Sequence, residues 1–310
     1  MKDTTIQKII RQKLDKWIDS IEDKSLARKV RDNLILTGGA IVSMLSKEEI
    51  NDYDIYIQNK IVLMDLIRYY LDKIKKVFPS IVDDDPNMQL VTADTPTDKD
   101  TEELNDNRIN GFAVYVDSLE PDQIGIYIES GIWRAKKVIN EEEQEVLNST
   151  PFMPLVITQN AITLSNKIQI IIRFHGTPEE IHSNFDYIHV TNYFTYKDGL
   201  VVNDKALLSL ITKKLYYMGS KYPITSVIRA KKYVNRGYSI GAGEFLKMAF
   251  QISKLDLTDL RVLAQQLIGV DVAYFEQLIT ELKAWEKDNP DAALSDSYLF
   301  QLIDKIFNEV

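Results

Sequence analysis

Residues 34–57 read LILTGGAIVSMLSKEEINDYDIYI, and three patterns follow one another within them. Leu34, Ile35 and Leu36 form an apolar run that reads as a strand. Gly38 and Gly39 then make a turn, and the apolar spacing from Ala40 to Leu45 reads as a helix. Asp52-Tyr53-Asp54-Ile55-Tyr56-Ile57 alternates with period two, as a half-buried strand does. Residues 40–51 suffice for one helix and a turn back to that second strand. Glycines let a backbone approach a ligand closely, and the helix that follows aims free N–H groups and its positive end at an anion. Asp52 and Asp54 stand two apart in a strand, so both carboxylates point the same way. Two hard oxygen ligands beside a phosphate cradle suit magnesium-assisted phosphoryl chemistry.

Outward from this stretch the pattern alternates between helix and strand. Ile6, Ile9, Ile10, Leu14, Trp17, Ile18 and Ile21 fall on one face of a helix over 4–22, and a shorter helix covers about 24–32. Residues 60–78 return to a helical period. Residues 83–106 hold nine acids against the single base Lys99, with prolines and threonines between them, and read as a solvated insertion. From 111 to 203 the chain reads mostly as strands, at 112–116, 124–128, 161–164, 168–174, 187–193 and 200–202. Thr177-Pro178-Glu179-Glu180 is a helix start, with Thr177 as N-cap and proline at the first position. From 204 the reading is helical throughout, over 204–218, 224–236, 241–253, 258–267, 272–286 and 295–308. Two domains are expected, 1–203 and 204–310, the first carrying the acidic insertion.

Composition narrows the function classes. Hydrophobic residues make up 45% of the 310, enough for a real core and against global disorder. No apolar run approaches the ~18 residues that cross a bilayer, so no membrane role is expected. The start, MKDTTIQKII, lacks the basic and apolar regions of a signal peptide. With no cysteine, disulfides and cysteine-zinc sites are excluded, and a cytoplasmic setting fits. A net charge of −9 rules against general polyanion binding, so any nucleic-acid contact must be local.

The order strand, Gly-Gly, helix, strand with Asp-x-Asp resembles the signature of the polymerase-beta superfamily of nucleotidyltransferases. It reads here Leu36-Thr37-Gly38-Gly39, then Asp52-Tyr53-Asp54-Ile55. The resemblance implies an α+β fold: a polymerase-beta-type catalytic head with a mixed sheet, followed by an all-α C-terminal domain. It also implies two Mg2+ ions, an NTP as substrate, and transfer of an NMP to a hydroxyl with release of pyrophosphate. Gly38, Gly39 and Ser43 would take part in binding the nucleotide, and Asp52 and Asp54 would hold the metals. The family further implies a third carboxylate on a later strand beside the first two. Asp186, at the head of the strand expected over 187–193, is the candidate, with Asp117 as rival.

A second likeness lies in the C-terminal half. Ile228-Arg229-Ala230-Lys231-Lys232-Tyr233, with Gly237-Tyr238 after it, is similar to the segment behind the catalytic head of tRNA CCA-adding enzymes and bacterial poly(A) polymerases. It implies that Arg229 and Lys232 contact the nucleotide and that the acceptor is an RNA or tRNA 3′ end. Val42-Ser43 stands where those enzymes carry Arg-Asp, and their acidic-x-x-Arg template is missing, which counts against CCA addition itself. The residues support a local anion surface on their own account. Lys213, Lys214, Lys221, Arg229, Lys231, Lys232 and Arg236 occur between Ile211 and Gly243 without an acid, interleaved with Tyr216, Tyr217, Tyr222, Tyr233 and Tyr238. Cations hold phosphates and aromatics stack on bases; a solvated helix face over buried tyrosines is the alternative. A toxin or defence factor modifying tRNA or protein, and a degenerate fold acting as a binding module, remain open beside RNA transfer.

Overall fold

The computed structural model describes residues 3–77, 90–91, 112–116, 124–128, 132–134, 141–158 and 160–257. Further on it describes 259, 262, 263, 266, 278, 280–282, 284, 285, 287–289 and 295–307. Nearly all of the acidic stretch 83–106 lies outside these residues, as do Asp117 and most of the helices expected over 258–267 and 272–286.

The chain opens with helices α1 (Asp3–Asp19) and α2 (Lys24–Asn33). Strand β1 (Leu34–Thr37), helix α3 (Gly39–Ser46), strand β2 (Tyr53–Ile57) and helix α4 (Lys60–Val77) follow. Next come β3 (Leu90–Val91), β4 (Phe112–Val116), β5 (Ile124–Ile128), β6 (Ile132–Arg134) and helix α5 (Glu141–Ser149). Strands β7 (Pro154–Thr158), β8 (Ala161–Leu164) and β9 (Ile168–Ile171) lead to helix α6 (Pro178–His182). Strands β10 (Tyr193–Thr195) and β11 (Gly199–Val201) complete this part. Eight strands form one sheet in the order β11-β10-β1-β2-β9-β8-β7-β6. The sheet is mixed, because β2 and β9 run parallel while β1 is antiparallel to both β2 and β10.

The chain divides into two compact units, Met1–Ser183 with Val190–Asp204, and Asn184–His189 with Lys205–Val310. In the first unit one face of the sheet carries the core. Leu34, Leu36, Ile55, Ile57, Ile168, Ile170 and Phe194 point into it and meet the apolar stripes of α1 and α4, including Ile10, Leu14, Trp17, Leu63, Ile67 and Tyr70. Each fully buried side chain of this size contributes roughly 1.5–3 kcal/mol. Side chains alternate along a strand, so Thr37, Asp54, Tyr56 and Gln169 point to the opposite face.

The second unit contains helices α7 (Asp204–Thr212), α8 (Pro223–Val234), α9 (Ala242–Ile252) and α10 (Asp296–Phe307). It is not all helix. The helix expected over 204–218 stops at Thr212, and strand β12 (Lys214–Leu215) pairs in parallel with β13 (Ser239–Ile240). Lys213 causes the break, since its φ of 50° cannot continue a right-handed helix. The expected strand 187–193 is also replaced, by a 3-10 turn over Ile188–Val190 and by β10 from Tyr193. Its apolar residues are packed as a turn: Ile188 N–H donates to Tyr216 O, and the buried Tyr187 pairs with Tyr217 across an isolated bridge.

In the N-terminal core Trp17 Nε1–H donates to the Tyr70 hydroxyl at 2.7 Å, and both rings are buried. Tyr70→Phe keeps the shape and strands the indole N–H. It is expected to lower stability by about 1–3 kcal/mol in a urea titration, whereas a solvent-reachable indole would give almost no change.

Candidate active site

The site is built around the backbone at Gly38. Its φ of 86° and ψ of −143° lie where L side chains are strained, and a Cβ there would stand 3.3 Å from Asp54 Oδ2. Gly38 N–H donates to Val190 O at 3.2 Å. Gly38 is the N-cap of α3 and, as a glycine, supplies no capping side chain of its own. Gly39 is exposed, and a Cβ at its position would meet nothing within 4 Å. The turn thus leaves room beside Gly39 and stands next to the Asp54 carboxylate.

The sheet register lines up a polar row on the face away from the core. Thr37 is paired with Tyr193 on β10. The antiparallel register of β1 and β2, continued by one pair, sets Thr37 opposite Asp54. Asp54 is in register with Gln169 on β9, and Gln169 with Thr163 on β8. Asp52 lies on the same side, just ahead of β2, and both aspartates are half-buried.

Thr37 ties the turn to its surroundings. Its buried hydroxyl donates to Asn192 O at 2.9 Å, with Val190 O at 3.3 Å, and lies 2.8 Å from His182 Nε2. One hydroxyl carries one proton, so it serves one of these acceptors at a time, and which of Thr37 Oγ1 and His182 Nε2 donates to the other follows the imidazole tautomer. Its ring lies 5.8 Å from that of Tyr193, and burial pushes its pKa down to about 4, against a smaller opposing effect of Glu179. His182 closes α6, which opens with the expected Thr177 cap: Glu180 N–H donates to Thr177 Oγ1, and Thr177 N–H donates to Glu180 Oε2.

The other residues singled out from the sequence stand as follows. Ser43 is buried on the second turn of α3, and its carbonyl accepts from Glu48 N–H at 2.8 Å. Asp186 does not lie on a strand beside β2; the neighbours of β2 are β1 and β9. Asp186 belongs to the second unit, where its buried carboxylate accepts from Arg229. Arg229 is engaged by that pairing, while Lys231 and Lys232 are exposed in the last turn of α8. The tyrosines around them turn inward. Tyr187, Tyr217 and Tyr238 are buried, and the His189 ring lies 4.3 Å from Tyr233 and 5.0 Å from Tyr238. Sequence reasoning missed Thr37, His182, Asn192 and Gln169. Only Gln169 left a signal, as the one polar residue in the run Ile168-Gln169-Ile170-Ile171.

Magnesium fits this donor set in part. It is commonly held by one or two carboxylates together with substrate phosphates and water, and Asp52 and Asp54 supply two. Among the described residues no group of three or more His, Cys, Asp or Glu is arranged to hold a metal. Nor is any helix among them long and apolar enough to cross a membrane.

Comparison with known proteins gives a family. A model described as Gabija anti-defense 2 family protein matches residues 8–213. A curated relative, Gabija anti-defense 2 of Bacillus phage SPbetaL7, is 24% identical over 147 residues, covering 46% of this chain and 34% of the relative. The match thus spans about a third of that protein. Among solved structures, the Thermotoga maritima CCA-adding enzyme complexed with tRNA matches at TM-score 0.37 and 10% identity, over 96% of this chain and 62% of that one. The Bacillus stearothermophilus CCA-adding enzyme in complex with CTP matches at TM-score 0.35 and 9% identity, over 86% and 51%.

Two measurements check this geometry. Gly38→Ala is expected to cost about 1–3 kcal/mol in chemical denaturation, and Gly39→Ala close to nothing, since only the first has a positive φ and a crowded Cβ. The second concerns acid. His182 has its folded pKa lowered from 6.5 to about 4, so its contribution to stability is complete above pH 6.5 and is lost as pH falls toward 4. Between urea titrations at pH 7 and pH 4.5, wild type should lose more stability than His182→Gln. Equal losses would show that the imidazole is not held neutral.

Proposed function

The chain belongs to the Gabija anti-defense 2 family, and we propose that it is a magnesium-dependent nucleotidyltransferase that opposes such a defence by transferring an NMP from an NTP to a hydroxyl. The observation that carries this reading is the contact between the Gly38 turn and Asp54. Gly38 has a φ of 86°, which favours glycine, and a Cβ built there would stand 3.3 Å from Asp54 Oδ2, so the glycine turn and this carboxylate are neighbours. The sheet supplies Asp52 on the same face, and β10 and α6 fix the turn through Thr37.

The residues divide the work as follows. Free N–H groups at the start of α3 bind the triphosphate, and Gly39 leaves them room. Asp52 and Asp54 hold magnesium, which when bound neutralises the phosphates and polarises the reacting phosphorus centre. The acceptor hydroxyl attacks the α-phosphorus, the bond to pyrophosphate breaks, and the hydroxyl proton passes to a carboxylate or to water. Asp186 is left out of the metal set because Arg229 already engages it. The exposed Lys214, Lys231 and Lys232 favour a nucleic-acid acceptor such as an RNA 3′ end, gripped by its phosphates rather than by stacking on Tyr217 or Tyr238. The cytoplasm is the proposed setting.

A second reading, a binding module without transfer, is favoured by one observation: the position beside Asp54 on β9 is the neutral Gln169 rather than an acid. The two readings separate on incubation with each α-labelled NTP, magnesium and a mixture of total RNA and purified defence proteins. Transfer predicts label on a macromolecule, abolished by Asp54→Asn without change in fold. NTP binding without label in any arm would leave the binding module. Gly39→Ala should weaken NTP binding at unchanged stability, because its methyl group enters the space reserved for phosphate; unchanged affinity would remove α3 from the site.

A further inference from the structure

The proposed metal site has two acids, and the residue in register beside them carries an amide. Gln169 is paired with Asp54 across parallel strands, so their side chains leave the same face of the sheet from backbones ~4.8 Å apart. That face is the one turned away from the core, since Ile168 and Ile170 on either side of Gln169 point into it. Gln169 Nε2–H donates to Thr163 Oγ1 at 3.2 Å, and Thr163 is its register partner on β8. With Nε2 bonded to Thr163 on β8, Oε1 is the amide atom that can serve the other neighbour of β9, the strand β2 that carries Asp54.

From this arrangement we infer that Gln169 Oε1 is a neutral third ligand of the divalent cation held by Asp52 and Asp54, oriented for that role by Thr163. The inference rests on the nucleotidyltransferase reading of the two aspartates. A glutamine carbonyl is a hard oxygen donor of the kind that Ca2+ and Mg2+ sites accept. It differs from a carboxylate in carrying no charge and in offering a single oxygen. Two aspartates and an amide give the donor set a charge of −2, so the three side chains stand together with less repulsion than three carboxylates would. Weaker cation binding is the counterpart, with the triphosphate bringing the remaining negative charge when it arrives. Thr163 is a positioning residue: its hydroxyl accepts from Gln169 Nε2–H at 3.2 Å and so holds the amide against β8.

The test is a Mn2+ titration of the whole chain without nucleotide, read by loss of the free-ion electron paramagnetic signal. Wild type should bind, and Asp54→Asn should not. Gln169→Met, of similar length and without oxygen, should weaken binding about tenfold or more, and Thr163→Val about tenfold. If Gln169→Met binds like wild type while Asp54→Asn does not, the glutamine is no ligand and the inference falls, with the two-aspartate site intact. If Asp54→Asn also binds like wild type, the reading of the aspartates falls and takes the inference with it. Should Gln169→Met fail to fold, Thr163→Val decides: unchanged affinity there overturns the orientation of the amide.

Discussion

At Gly38 the backbone turns with a φ of 86°, which an L side chain adopts only with strain, and a Cβ there would stand 3.3 Å from Asp54 Oδ2, so the carboxylate would have to give way slightly. Much of the first unit serves to hold this turn. Strand β1 ends at the buried Thr37, whose hydroxyl is shared among two carbonyls of the segment leading to β10 and the ring that closes α6. The turn is thus restrained from two segments distant in sequence, α6 and the approach to β10. The core does not reach this face of the sheet. Its isoleucines and leucines lie on the other side, against α1 and α4.

The central part of the fold was legible because its signals are local. An apolar run, two glycines, a helical spacing and an alternating Asp-Tyr-Asp-Ile each read within a few residues, and they appear as β1, the Gly38 turn, α3 and β2. The neighbours of β2 were not legible. Pairing is decided by tertiary register, and nothing in Ile168-Gln169-Ile170-Ile171 announces that Gln169 will stand beside Asp54. The strand expected behind Asp186 shows the same limit in reverse. An acid heading the apolar run Tyr187-Ile188-His189-Val190 looks like the head of a strand, yet the run bends into a 3-10 turn and the carboxylate meets Arg229. His182 was invisible because its partner is a threonine 145 residues earlier.

The cationic segment shows how composition can be right about charge and wrong about aromatics. Its lysines stay outside, with Lys214, Lys231 and Lys232 exposed. Its tyrosines serve chiefly as packing. Tyr217 and Tyr238 are buried; Tyr187, Tyr233 and Tyr238 pack against His189, whose pKa is driven down to about 3 by burial and, secondarily, by Lys213 and Arg236. Tyrosine is large and mostly apolar, so a small helical unit can use it as core while its hydroxyl finds a carbonyl, as Tyr187 does with Ser226 O at 2.7 Å. Interleaving with lysine follows from helical periodicity as readily as from nucleic-acid recognition.

The chain enters the second unit at Asn184, leaves it at His189, and returns for good only at Lys205. Six residues therefore belong to a body whose remainder is encoded further along the gene. Genetic exchange between relatives at a single breakpoint near residue 204 would supply Tyr187 and His189 from one parent and the rings that surround them from another. Such hybrids would meet mismatched aromatic packing at once, whereas two breakpoints, flanking residues 184 to 189 and following residue 204, would move the unit intact. The short excursion acts as an interlock against reshuffling. Drift in the second unit is then tied to drift in a peptide lying between α6 and β10 of the first, so the two halves are expected to be inherited and diversified as one piece.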